Sequence, residues 1–366
     1  MKMNKRNYLK SMNPLDLLRT KKVLKSNPTV LPDKENIAES TFVLFEYDGL
    51  QVQEFKQFNK DEIKLSRFKS GKTYWLNIDV LHPLTIETIG ASINLHPLLI
   101  EDILSENQRP KTEEIEHLYY CVLHMLYFNE ENNTVESEQV SFVLGPNFVV
   151  SFQVEARRDL FDPIREKLKM ASTRLRNSGA DYLLYSMLDV IVDQYFVVMD
   201  KLANQIEKLE ESITQGNADE IIMNQINGLR KEVMYFKRNS SPVRELLSSI
   251  IRSETPLIDE KNNKYFKDIY DHIIQANDLS ETYRDVISNL RDLYFSQMNL
   301  KMNEVMKFLA IVTTLLAPAT VLGGIFGMNF EKIPYLHHQN GFWIATALML
   351  IIPIFMLYYF RKKGWF

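Results

Sequence analysis

The chain has 366 residues, 45% of them hydrophobic and 25% charged, with a formal net charge of −4. Phosphate binding needs clustered excess base that this balance lacks, so nucleic acid is not an expected partner. A single cysteine, Cys121, excludes an intrachain disulfide framework and fits a reducing compartment.

The N-terminal stretch MKMNKRNYLKSMNPLDLLRT is basic but leads into no apolar run, so it is not a cleaved signal peptide. Residues 1–35 are expected to form a loosely held polar arm. Residues 36–170 read as a cytosolic α+β domain in which strand-like and helix-like pieces alternate. TFVLFEY, TYWLNID, YYCVLHMLYF and VSFVLGPNFVVSFQ are rich in β-branched and aromatic residues, and a Gly-Pro-Asn turn signal divides the last into two strands. The SGKT at Ser70–Thr73 is not read as a phosphate loop: the glycine required five residues before Gly71 is Ser66, and a strand follows where a helix is needed.

Residues 171–256 read as a helical hairpin. DYLLYSMLDVIVDQYFVVMDKLANQIEKLEESITQ forms its first arm, Gly216-Asn217 breaks it, and the second arm returns to Pro256. Beyond Pro256 no Gly or Pro occurs until Pro318, and Phe266, Ile269, Ile273, Ala276, Tyr283, Ile287, Leu290 and Tyr294 follow a repeat close to 3.5 residues. A helix from Lys261 to Ala317 would be about 85 Å long at 1.5 Å per residue. It would outreach the ~30 Å hydrocarbon core of a bilayer, so its first part is a stalk whose stripe needs partners, either the preceding helices or copies of the chain. Residues 257–326 therefore comprise the stalk and a first crossing.

That crossing is the uncharged run FLAIVTTLLAPATVLGGIF, Phe308–Phe326, and a second, FWIATALMLIIPIFMLYYF, spans Phe342–Phe360 within residues 342–366. Each is long enough to cross, and the loop of residues 327–341 between them makes a transmembrane hairpin. Arg291, Lys301 and Lys307 precede the first run and Arg361, Lys362 and Lys363 follow the second, whereas the loop carries only Lys332. Excess base marks the cytoplasmic side, so both termini are expected there. Steps of three and four along the first crossing give Asn303, Met306, Leu309 (or Ala310), Thr313, Ala317, Thr320 and Gly324. This small, partly polar face suits close helix packing, and equally a narrow pore lined by one helix from each subunit of a cyclic ring.

GMN after a first membrane helix, with a short loop, a second helix and a basic tail, resembles the CorA family of magnesium and cobalt transporters. NEVMKFLAIVTTLLAPATVLGGIFGMNFEKIP, LHPLLIEDIL with NQRPK, DYLLYSMLDVIVDQYF and YFKDIYDHIIQ resemble family blocks in the family's order, covering most of the chain from about residue 75. The resemblance implies a homopentameric funnel in the cell (inner) membrane that conducts Mg²⁺, and also Co²⁺ or Ni²⁺. Its partners would be copies of itself, lipid and divalent cations, and it would not be an enzyme.

By the same resemblance, Gly327, Met328 and Asn329 form an outer selectivity filter. Mg²⁺ dehydrates reluctantly, so a ring of Asn329 carbonyls accepting hydrogen bonds from its water shell captures it without holding it too tightly. Asn303, Met306 and Leu309 would form the cytosolic constriction, where apolar rings close by dewetting, with Thr313, Thr320 and Gly324 above. Ala317 departs from relatives that carry a bulky methionine there, which shifts the gate towards Met306 and Leu309. Glu101, Asp102, Asp189, Asp268 and His272 match family positions for regulatory divalent sites between subunits; His272 is the weakest, since imidazole suits transition metals better. His337 and His338 in the loop are candidate ligands for a softer ion, although loop histidines are commonly just solvated. Glu331 stands two residues beyond the filter, where it would concentrate cations. A zinc transporter of the same architecture and a non-conducting Mg²⁺ sensor are the rival functions.

Overall fold

The computed structural model describes residues 40–56, 68, 71–105, 108–155, 159–216, 219–330, 333–334 and 338–365. The expected N-terminal arm, Glu331 and His337 lie outside them. In chain order the elements are β1 (Thr41–Tyr47), β2 (Val52–Phe55), β3 (Thr73–Asp79), α1 (Pro83–Ser92), α2 (Pro97–Leu104), β4 (Lys111–Ile115), β5 (Leu118–Asn129), β6 (Thr134–Leu144) and β7 (Phe148–Gln153). They continue as α3 (Asp162–Lys169), α4 (Ala180–Thr214), α5 (Glu220–Arg252), α6 (Asn263–Phe326) and α7 (Gly341–Lys362). Two compact units divide the chain. One runs to Gln205 and includes Leu229–Asp285; the other joins Ile206–Gly228 to the residues from Val286 onward.

In the first unit seven strands form one sheet in the order β2-β1-β3-β7-β6-β5-β4. Only β3 and β7 run parallel; every other neighbouring pair is antiparallel. The strand-like pieces of the sequence correspond to β1, β3 and β5 to β7. The two edge strands, β2 and β4, were not among those pieces. They carry Glu54, Lys111, Glu113 and Glu114, and charge on an edge strand discourages further pairing.

Period-two alternation sends side chains to both faces of the sheet. Tyr74, Leu76 and Ile78 of β3 and Phe148, Val150 and Phe152 of β7 pack with Ile86, Ile89 and Ile93 at α1, and with Leu99 and Ile103 of α2. On the other face Trp75 stacks on Phe45 with ring centroids 5.0 Å apart and meets Phe161 edge-on at 6.1 Å. There the Trp75 indole donates to Ser151 Oγ at 2.9 Å, and that hydroxyl donates to Asn77 Oδ1 at 2.6 Å. The Tyr195 hydroxyl of α4 donates to the His124 carbonyl of β5 at 2.6 Å. Helices therefore cover the sheet on both faces.

Both short helices open with a proline in the first turn, where its missing N–H costs nothing. Gly90 lets them approach closely: a Cβ there would lie 2.7 Å from Ile100 Cδ1. The end of α2 is held by the buried Gln139 of β6. Its amide donates to the Ser105 carbonyl at 2.9 Å and to the Asp102 carbonyl at 3.3 Å, while its oxygen accepts from Gln108 N–H at 2.8 Å. One side chain thus pairs backbone groups that a helix end otherwise leaves without partners.

The long helices pack by their apolar faces. Gly216, at φ 84°, follows the end of α4 in the left-handed conformation that glycine tolerates best. Tyr195 of α4 meets Phe236 of α5 with ring centroids 5.8 Å apart, and Ser240 of α5 donates to Asn277 of α6 at 2.8 Å. α5 continues through Pro242 and α6 through Pro318. Of the α6 stripe, Phe266, Ile269, Ile273 and Ala276 are buried in the first unit and Ile287, Leu290 and Tyr294 in the second, so the chain itself covers most of it; Tyr283 is half-buried.

Among the described residues, three helices are long and apolar enough to cross a membrane: α4, α6 and α7. α4 buries Leu184, Met187, Leu188, Ile191, Val198 and Met199, as an interior helix does. The apolar ends of the chain differ. Phe308, Leu316 and Val321 of α6 and Phe342, Ile351 and Phe355 of α7 are exposed, as lipid-facing or partner-facing side chains would be. Replacing Gln139 by Leu would orphan two carbonyls and one N–H at the end of α2, at about 1–3 kcal/mol per buried group. Hydrogen exchange should show α2 amides losing protection while those of β5 to β7 keep theirs.

Candidate functional site

α6 ends where FGMNF begins. Gly327 N–H still donates to the Gly323 carbonyl at 3.0 Å, and Met328 N–H donates to Ile325 at 3.3 Å, after which the helical ladder stops. A Cβ on Gly327 would lie 3.0 Å from the Gly323 oxygen, so a larger residue would have to push that carbonyl back by a few tenths of an ångström. Met328 and Asn329 are exposed, and the Asn329 amide makes no hydrogen bond to any described residue. A carboxamide in this state keeps its full capacity to bind a hydrated ion.

Below it, Asn303, Met306, Leu309, Thr313, Ala317, Thr320 and Gly324 are all exposed in the single chain. The better-covered residues of the same stretch are Ile311, Val312, Thr314, Leu315, Pro318, Ala319, Leu322 and Phe326. At 3.6 residues per turn the two sets lie on about opposite sides of α6. Gly323 belongs to the flank towards α7: a Cβ there would sit 3.8 Å from Met349 Cε. The small, partly polar line therefore faces away from the chain's own second apolar helix. Thr313 Oγ1 donates to the Leu309 carbonyl at 2.8 Å and Thr320 Oγ1 to the Leu316 carbonyl at 3.0 Å, so each hydroxyl proton is taken up within the helix. In the loop, His338 Nδ1 accepts from Asn340 N–H at 3.2 Å and its carbonyl from Gly341 N–H at 2.9 Å. It shapes the turn into α7.

The sequence-derived acidic set separates into two groups. Asp189 of α4 and His272 of α6 come together with Asp193, which the sequence reading missed; the three offer ligand atoms within 4.8 Å of one another. Asp189 and Asp193 stand four residues apart and so share a helix face, the spacing by which Asp193 was findable. Burial pushes the Asp189 carboxyl above the ordinary range, the Asp193 charge adds to the rise, and His272 opposes it. The nearby Asp268 adds to it as well; its side chain is exposed on α6. His272 Nδ1 is buried without a hydrogen-bond partner. Two crowded carboxylates and a free imidazole nitrogen fit a divalent cation.

Glu101 and Asp102, on the last turn of α2, are half-buried. Asp102 is not free. Its Oδ2 pairs with Lys111 Nζ of β4 at 2.6 Å and its Oδ1 accepts from Gln108 Nε2 at 3.0 Å. The same ammonium lies 2.6 Å from Glu113 Oε1. Although partial burial opposes it, the carboxylates of Asp102 and Glu113 hold the Lys111 ammonium above the ordinary lysine range.

Residues 70–362 match the family described as CorA-like Mg²⁺ transporter protein. The cobalt/magnesium transport protein CorA of Thermotoga maritima is 39% identical over 317 residues, covering 86% of this chain and 90% of the relative. That of Methanocaldococcus jannaschii is 32% identical over 266 residues, covering 72% and 81%. The complete structure of the CorA magnesium transporter from the latter organism superposes with a TM-score of 0.71 at 26% identity, covering 88% of this chain and 99% of that one. The match takes in both apolar helices and the GMN between them, and by it the chain belongs to the CorA-like Mg²⁺ transporter family.

Proposed function

We propose that the chain is one subunit of a homopentameric channel that carries Mg²⁺, and also Co²⁺ or Ni²⁺, across the cell (inner) membrane with both termini in the cytoplasm. The observation that carries this reading is the exposed, unpartnered Asn329 carboxamide at the end of an apolar helix whose small, partly polar line points away from its own chain. Family membership supports it, and relatives named as cobalt/magnesium transport proteins favour it over a zinc transporter or a non-conducting sensor. One chain with two crossings cannot enclose a pore, so conduction requires a ring of subunits.

In this reading Gly327, Met328 and Asn329 form the filter. Five amide oxygens accept hydrogen bonds from the water shell of Mg²⁺, which spares the ion an early dehydration. Asn303, Met306, Leu309, Thr313, Ala317, Thr320 and Gly324 line the path, and rings of Met306 and Leu309 exclude water when the pore is shut. Residues 36–170 form the cytosolic α+β domain, 171–256 the hairpin, 257–326 the stalk and pore helix, 327–341 the outer loop and 342–366 the second crossing and tail.

Control comes from cytosolic Mg²⁺ held by Glu101, Asp102, Asp189, Asp268 and His272, with Asp193 now added beside Asp189. Facing carboxylates repel, and a bridging cation offsets that repulsion. High internal Mg²⁺ then holds the ring compact, and its loss loosens the subunits.

Asn329→Ala should abolish Mg²⁺ uptake into liposomes while the pentamer still elutes intact; normal uptake by that variant removes the filter assignment. Met306→Ala combined with Leu309→Ala should raise resting flux in high internal Mg²⁺, because smaller side chains admit water. An unchanged leak counts against the gate. Limited proteolysis tests control, since a ligand that binds only the compact state stabilises it by mass action. Wild-type protein should become resistant as Mg²⁺ rises into the millimolar range, as expected for sites of modest charge. The Asp102→Asn, Asp268→Asn protein should gain little resistance.

A further inference from the structure

We propose that Lys111 is a tethered competitor for the divalent cation at Asp102, and that Glu113 retains its ammonium when the cation binds. The inference rests on the reading of Asp102 as a control site. It adds to that reading what sets the concentration at which the site fills.

Both oxygens of the Asp102 carboxylate are engaged by donors, Oδ1 by Gln108 Nε2 at 3.0 Å and Oδ2 by Lys111 Nζ at 2.6 Å. The carboxamide is neutral, and an oxygen that accepts from it keeps capacity for a second partner. The ammonium is different. A monovalent and a divalent cation on one small carboxylate repel each other across a few ångströms, and protein surroundings screen that repulsion less than water does. The Asp102 side chain is only 18% exposed and that of Lys111 33%, so bulk solvent does not dissolve the conflict. A divalent cation therefore gains Asp102 by exchange.

Glu113 makes the exchange feasible. Its Oε1 lies 2.6 Å from the same Nζ, so the ammonium already bridges two carboxylates and can give up Asp102 without losing all its partners. Lys111 and Glu113 stand two residues apart on β4 and project from the same face of the strand. The backbone of Asp102 is tied to the sheet, because Gln139 donates to the Asp102 and Ser105 carbonyls. By contrast, Asp189 and Asp193 make no ion pair with any described lysine or arginine. Lys167 and His272 act on Asp189 only through space, whereas Asp102 holds its counter-ion in direct contact.

Two variants of the full-length protein should move the Mg²⁺ midpoint of protease protection in opposite directions. Lys111→Gln keeps a hydrogen-bond donor and removes the competing charge, so the midpoint should fall by about twofold to fivefold, the scale of a partly screened ion pair. Glu113→Gln removes the holding carboxylate and leaves Lys111 to Asp102 alone, so the midpoint should rise. General damage to the fold would shift both the same way. An unchanged midpoint in Lys111→Gln, or shifts of the same sign, overturns the proposal. If Lys111→Gln does not assemble, the sign of the Glu113→Gln shift decides. Asp102→Asn separates the two ideas. Wild-type protection in that variant removes the control site and the competitor with it, whereas lost protection there with an unmoved Lys111→Gln midpoint removes the competitor alone.

Discussion

A hydrocarbon interior offers no hydrogen-bond partner to a peptide group, and the last sixth of this chain is organised by that constraint. An unbroken helix satisfies its own backbone, so α6 continues from its stalk through Pro318 to the end of its apolar run. It yields at Gly327, where a side chain would crowd the Gly323 carbonyl. The helix ends by geometry at the residue where water becomes available again. Asn329, two positions later, is the first polar side chain past the apolar run, which is where the proposed filter needs one.

Electrostatics divides the sheet-bearing unit in a comparable way. Asp102 lies against Lys111, so its charge is compensated locally. Asp189 lies against Asp193, a like-charge pair at helical spacing that weakens a helix. Burial and that neighbour together raise its carboxyl, a standing cost that a bound divalent ion would remove. Under the proposed control, a cluster of this kind would make the preferred arrangement depend on the cation supply, which a fully paired surface would not.

How much of this was legible in the sequence follows from which interactions are local. TFVLFEY and TYWLNID are β1 and β3 residue for residue, because period-two patterning is a property of each strand alone. KTEEI was missed as β4 because its strand character comes from pairing with β5 and its own residues are charged. The line from Asn303 to Gly324 was readable from helical spacing, although its opposition to the covered face needed coordinates. Asp193 was readable in the same way and was overlooked. The partners of Asp102 were not readable: Gln108 and Lys111 reach it after the chain has left α2 and turned into a strand. Which of two nearby charges a lysine answers is a tertiary fact.

Thr313 and Thr320 give the polar line of α6 a sense that its composition does not reveal. With their protons committed to the Leu309 and Leu316 carbonyls, these hydroxyls turn only lone pairs outward. Water bound to a cation presents both of its hydrogens outward, whereas water around an anion commits one of them to the ion. In the proposed path, repeated fivefold, such rings favour the first kind of hydration shell over the second. Discrimination by the sign of the ion then begins in uncharged alcohol groups, with no carboxylate inside the membrane to grip the ion and slow its passage.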